Sequence, residues 1–363
     1  MSQARRNTSA VLVLLLAACA PAPGPAPAAP PATEATTQAT AAATRIEADV
    51  RFLADDRLEG REAGTRGYDL AARYVAARFA ALGLVPAGDD GTWLQEVPML
   101  RGVREREGAR FVIERDGAST ELAFETDFLP GINYADPAAQ ATAPMVFVAY
   151  GVHAPELGWD DYAEVDVKGK IAVMLNGAPA SFPIDQRAFH SSGLEKSRQL
   201  EARGAIGVVT LRDPDEEARR PWALAAPNWR RPGMRLVDAQ GAPVDDFPGL
   251  KVRAGLRTGM AALLLEGSGV SAEELWAMRS SGTLRRFELA GKATLASPAR
   301  IDRVASDNVL AKLPGSDPAL GAQHVLLSAH LDHLGFGAAA DGDTIYNGAL
   351  DNALGIAILL EAA

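Results

Sequence analysis

The chain has 363 residues, is 48% hydrophobic and carries a formal net charge of −10. Length and apolar content allow more than one core, with two folded domains the natural expectation. The acidic balance, without a basic block to neutralise phosphates, argues against nucleic acid as a partner, and the lone cysteine, Cys19, rules out a disulfide within the chain.

The first segment reads as an export signal. Arg5 and Arg6 precede an apolar run, residues 10–18, that ends in small residues before Cys19. The run is too short to span a bilayer. Leu16-Ala17-Ala18-Cys19 resembles the bacterial lipobox, which implies lipidation of Cys19 and an exported protein anchored to a membrane, facing the periplasm or the cell exterior. A cleaved signal with an incidental cysteine is the plainer alternative. Residues 20–44 are nearly all Pro, Ala and Thr, the composition of an extended, unfolded tether.

Order is expected from residue 45. A short helix at 46–53 gives way to a polar, turn-rich stretch at 54–65. Residues 69–82 are helical by period: Ala71, Val75, Phe79 and Leu82 form one stripe, and Gly83 supplies the stop. Between 93 and 128 the texture changes to strands, including 111–114 and 121–124 about a turn at Asp116-Gly117. Strands at 145–150 and 171–175, a helix at 197–203 stopped by Gly204, and a strand at 206–209 suggest a small α/β or β-rich module. Residues 213–248, rich in Pro, Arg and Trp, read as an irregular excursion. A helix at 271–278 and a strand at 285–295 follow. Residues 308–313 and 325–329 start a second sheet.

The last of these runs carries the chemistry. It reads as a buried strand ending in His330-Leu331-Asp332, and a strand delivers alternate side chains to one face, so His330 and Asp332 point the same way. A loop rich in Asp and Gly then returns Asp351 at the expected start of a helix, with Asn352 suited to cap it. An imidazole, a carboxylate able to hold it and a second carboxylate are a zinc-binding combination. The spacing alone equally allows a His and two Asp satisfied by hydrogen bonds at a strand end. His333 lies one residue off the His330 face and reads as a pocket residue, not a ligand; His153, His190 and His324 read as structural. Glu59, Glu62 and Asp69 read as charges on a solvated face. Gly335-Phe336-Gly337 precedes a loop and not a helix, so it is no dinucleotide fingerprint. The absence of G-x-S-x-G removes support for a nucleophile-elbow hydrolase.

His330-Leu331-Asp332-His333-Leu334-Gly335, followed by Tyr346-Asn347-Gly348-Ala349-Leu350-Asp351-Asn352-Ala353-Leu354-Gly355, resembles metallopeptidase family twenty-eight, the co-catalytic zinc aminopeptidases. The resemblance implies an α/β fold, a mixed sheet with helices, holding two zinc ions in the complete site. It implies that His330 and Asp351 are zinc ligands, that Asp351 bridges the ions and precedes a cis bond, and that Asp332 is the catalytic-site carboxylate orienting His330. Leu350 and Leu354 stand where the usual family text has Asp and Ser. The stretch from Leu53 to Gly67 looks like the amino-terminal loop of members with an inserted domain. Gly151 to Glu156, Trp159 to Tyr162, Asp166 to Val173 and Lys196 to Val209 resemble that insert, the β-rich protease-associated domain.

The implied organisation is a signal at 1–19, a tether at 20–44, the first part of the peptidase domain at 45–130, the insert at 131–298 and the start of the catalytic core at 299–363. The family's general base, further carboxylate ligands and late His follow the Asp-Asn motif, so the resemblance implies a longer product that holds them beyond Ala363. The expected activity is release of amino-terminal residues from peptides. A carboxypeptidase or other amide hydrolase of the same fold, and a non-catalytic peptide-binding lipoprotein using the insert, are the alternatives.

Overall fold

The computed structural model describes residues 32–363, and contacts divide the chain between Thr44 and Arg45, with Arg45–Ala363 forming one compact unit. The expected signal, Cys19 and the start of the tether lie outside the described residues. Among those described, no helix is long and apolar enough to cross a membrane.

Helix α1 (Ala32–Leu53) starts well inside the stretch expected to be an extended tether. Ala41, Ala42 and Ala43 propagate a helix without loss of side-chain entropy. Its carboxy-terminal end is fixed by Leu53, fully buried, and by Val50 beside it. Helix α2 (Arg66–Ala81) lays Ala71, Ala72, Val75 and Phe79 onto the same core; Leu82, the fourth residue of the expected stripe, is instead the exposed C-cap. That core also receives Leu331, Ile356 and Leu360, so both ends of the compact unit share it. Glu361 pairs with Arg45 at 2.5 Å.

The strands begin with β1 (Leu94–Arg104), β2 (Arg110–Arg115), β3 (Ala118–Glu121), β4 (Phe128–Pro130), β5 (Gln140–Phe147) and β6 (Ile171–Leu175). They continue with β7 (Gly207–Leu211), β8 (Gly233–Leu236), β9 (Val252–Leu256), β10 (Phe287–Ala296) and β11 (Ala299–Val309). Eight of them form one mixed sheet in the order β3-β2-β10-β5-β6-β7-β9-β4. Its centre, β5 through β9, is parallel, and its flanks are antiparallel. Every residue of β6 is buried, as a parallel sheet covered on both faces requires. The molecule is therefore of mixed α/β class.

Two boundaries differ from expectation. β2 and β3 join the sheet through β10, and β4 joins it through β9, so a division at residue 130 falls inside one sheet. The excursion at 213–248 contains a proline-free run that becomes β8 and pairs with β1. β1 and β11 pair antiparallel from Leu94 opposite Val309 to Arg104 opposite Ala299, a ribbon through which the chain enters and leaves the main sheet.

The strand expected at 325–329 is not formed. Val325, Leu326 and Leu327 are 92%, 84% and 63% exposed, and among the described residues no strand pairs with them. An apolar run becomes a strand only where a neighbouring ladder satisfies its backbone and another layer covers its face. Neither is present here.

Candidate metal centre

His330 follows this uncovered run, and Asp351 follows the hairpin of β12 (Gly335–Ala340) and β13 (Asp343–Tyr346). The two meet: His330 Nε2 lies 3.0 Å from Asp351 Oδ1. On the other side of the ring, Nδ1 lies 3.1 Å from the main-chain oxygen of Asp332 and 3.5 Å from its Oδ1. An Nδ1–H donating to that carbonyl would leave Nε2 available to a metal shared with Asp351. The nearer acceptor is thus the carbonyl of Asp332, and the carboxylate expected to orient His330 lies beyond good hydrogen-bond length.

Asp351 sits in a single π-helical turn, Ala349–Ala353, in which Asp351 and Asn352 depart from helical angles. The Asp351–Asn352 peptide bond is cis, as the family resemblance implied. Asn352 Oδ1 accepts a hydrogen bond from Gly355 N at 3.0 Å, satisfying a main-chain donor in the first turn of helix α3 (Leu354–Ala362), whose N-cap is Ala353. His333 is packed away with its side chain 12% exposed, Nδ1 3.9 Å from Asp351 Oδ2. Burial holds its pKa below the ordinary imidazole range, against the pull of Asp351. A Cβ on Gly348 would meet His333 Cγ at 2.5 Å, so this position admits only glycine's close approach.

Beneath both segments lies Arg61, 0% exposed. Its Nε donates to Leu331 O at 2.9 Å, Nη1 to Asn347 O at 2.7 Å and also to Leu53 O, and Nη2 to Gly348 O at 3.1 Å. All of these acceptors are main-chain carbonyls. Burial lowers the guanidinium pKa, while Asp332 and Asp351 raise it. The Arg61 carbonyl in turn accepts from His333 N at 3.0 Å. Asn347 Nδ2 donates to Ala54 O at 2.9 Å and to Asp56 Oδ1 at 2.7 Å. The amino-terminal loop is therefore the floor of the centre. Sequence reasoning recognised that loop but gave Arg61 no role. The available signal was an arginine directly after Gly60, in a loop where Asp55 takes Arg57 and Glu59 takes Arg66.

Glu62 also departs from expectation. It is not on a solvated face: its side chain is 17% exposed, with Oε1 3.5 Å from Arg101 Nε. Glu59, Gly60 and Arg61 all have positive φ, and the turn they make tucks Glu62 against Gly335. Burial raises the Glu62 pKa, opposed by Arg101. Glu59 does lie at the surface, paired with Arg66 at 2.7 Å, and Asp69 is exposed. His153 and His190 make local contacts with Asp160 at 3.4 Å and Glu156 at 2.9 Å.

Imidazole nitrogen and carboxylate oxygen are zinc donors, and bonds of about 2.0–2.2 Å to one ion place two such donors roughly 3–3.5 Å apart. His330 and Asp351 fit that description as a two-donor set. Among the described residues, no group of three or more His, Cys, Asp or Glu side chains is arranged to hold a metal.

Residues 308–363, which contain both donors, match the family model of Peptidase family M28. The match is confined to this carboxy-terminal segment. The chain is similar to the solved structure of an aminopeptidase from Aneurinibacillus sp. strain AM-1, at 18% identity over 88% of this chain and 57% of that one, with a TM-score of 0.43. It is also similar to a zinc aminopeptidase from Bacillus subtilis, at 17% identity over 88% of this chain and 56% of that one, TM-score 0.35. A psychrophilic subtilisin-like protease from Pseudoalteromonas sp. AS-11 overlaps 56% of this chain and 36% of its own, at 14% identity and TM-score 0.25. No match was found among curated proteins. The chain thus spans somewhat more than half the length of the first two structures. His330 and Asp351 both lie inside the matched segment.

Proposed function

We propose that the protein is a zinc-dependent aminopeptidase that removes amino-terminal residues from peptides. The observation that carries this reading is the 3.0 Å approach of His330 Nε2 to the Asp351 carboxylate inside the M28 segment. His330 and Asp351 would hold zinc, in a site that takes two ions when complete. The bound metal supplies a Lewis acid that polarises a peptide carbonyl and activates water. The chain's own residues do the rest of what is described here. The Asp332 carbonyl holds the imidazole in the tautomer with Nε2 free. Asn352 fixes the start of α3 next to Asp351, where the helix's positive end favours the carboxylate. His333, buried beside them, fills space that water would otherwise occupy.

The reading extends to location: an exported lipoprotein, anchored through Cys19 and acting on peptides outside the cytoplasm. Carboxypeptidase or other amide hydrolase activity on the same fold is the neighbouring alternative, and peptide binding without turnover the more distant one.

Amino-acid anilides, their N-acetylated forms and amidated peptides separate these activities in one assay of the purified native protein. Cleavage of free-amino anilides alone is expected, lost with a chelator, restored by zinc and absent in His330→Ala. Cleavage of the acetylated forms would favour another amide hydrolase. Chelator-insensitive peptide binding without turnover would overturn the peptidase reading.

A further inference from the structure

The segment bearing His330 has no strand partner, yet its position is defined. Leu331 O accepts from Arg61 Nε at 2.9 Å, and His333 N donates to Arg61 O at 3.0 Å, so one residue brackets the segment on both sides of Asp332. The same guanidinium reaches the Asp351 loop through Asn347 O and Gly348 O at 2.7 and 3.1 Å. We propose that Arg61 is the positioning residue of the metal centre, setting the separation at which His330 and Asp351 face one ion. This rests on the zinc reading of that pair. Arginine is required for a geometric reason: its planar fork directs N–H groups to several fixed points at once, whereas the lysine ammonium is one compact charge on a flexible stem. All its partners are main-chain carbonyls, so no side-chain substitution elsewhere can substitute for the clamp.

The test uses cobalt(II) as the probe, titrated into the purified protein and followed by its visible absorption, beside Arg61→Lys and Arg61→Gln. Far-UV circular dichroism and urea unfolding identify the variants that fold, and amide exchange reads residues 331–333 and 347–352 directly. A folded Arg61→Lys is expected to bind cobalt at least tenfold more weakly, with an altered absorption band and faster exchange at both segments. Wild-type affinity, band and exchange in the folded variant would overturn the proposal. So would a loss of binding no greater than the fraction of protein unfolded, which marks a purely structural arginine. If the wild type takes up no cobalt, the zinc reading itself fails and the metal-positioning role falls with it. Loss of binding in His330→Ala together with unchanged binding in Arg61→Lys overturns the positioning role alone.

Discussion

His330 is held at both ring nitrogens by different kinds of partner, and this sets what each substitution should do. The acceptor within reach of Nδ1 is a main-chain carbonyl, which survives any change of the Asp332 side chain. Asp332→Ala is therefore predicted to weaken zinc about tenfold, the lower end of what loss of an outer partner does, whereas His330→Ala removes a donor outright. Competition with a chromogenic chelator measures both, and equal losses would contradict the geometry. A second residue, Lys196, is 2% exposed, and its ammonium donates to Leu175 O and Gly177 O. Burial takes its pKa from the ordinary 10.5 down to about 8, opposed by Asp161 and Glu216. The folded chain gives up this proton before the unfolded chain does, so between those values the unfolded state binds more protons and stability rises with pH. Relative to Lys196→Met, the wild type should gain up to roughly 3 kcal/mol across that window. Urea midpoints of the two proteins at pH 7.5 to 10 check it, and a constant difference would show no linked proton. At this scale the meeting of His330 and Asp351 was legible because the motif sets which side chains stand at those positions. Arg61 was not, since its partners are carbonyls, which every residue carries.

The loop from Ala54 to Gly64 owes its shape to left-handed turns, and Gly60 is the position with least room. Its φ is +67°, and an added Cβ would lie 2.7 Å from the carbonyl oxygens of Gly335 and Tyr346. Gly60→Ala is predicted to destabilise the protein by about 2 kcal/mol or more, through strain at positive φ and a clash with backbone that cannot yield. A urea midpoint indistinguishable from wild type would mean that the loop is not seated on the hairpin. Of the four parallel strands, β5, β6 and β7 were legible as short apolar runs; β9 was not, since its burial alternates and Arg253 and Gly255 interrupt the run. β11 was not foreseen beyond its last residues: Arg300, Asp302, Arg303 and Asp307 break the apolar pattern of a strand that is specified mainly by its ladder with β1. The run at 325–329 misled for the opposite reason. Its composition specifies what a strand needs, and a partner has to supply the rest.

Across the whole molecule, apolar side chains divide into a core around the eight-stranded sheet and a second core joining α1, α2 and α3. The candidate metal centre lies against the second, and the exposed run at Val325 to Leu327 lies just ahead of it in sequence. Apolar side chains this exposed bind hydrophobic dyes and promote association. Val325→Thr with Leu327→Thr should lower anilinonaphthalene sulfonate fluorescence and leave the unfolding free energy from urea titration within about 0.5 kcal/mol of wild type; a large loss of stability would show that the run is buried in solution. The mixed α/β class was legible from the alternation of elements. The reach of the main sheet back to Arg110 was not, because the edge partners of short strands are set by tertiary pairing. The most direct measurement is the zinc content of the native protein after exhaustive dialysis, wild type beside His330→Ala. Zinc retained by the wild type and lost from an equally folded variant is the expected result. Equal zinc in the two, or none in either, would contradict a metal centre built on His330 and Asp351.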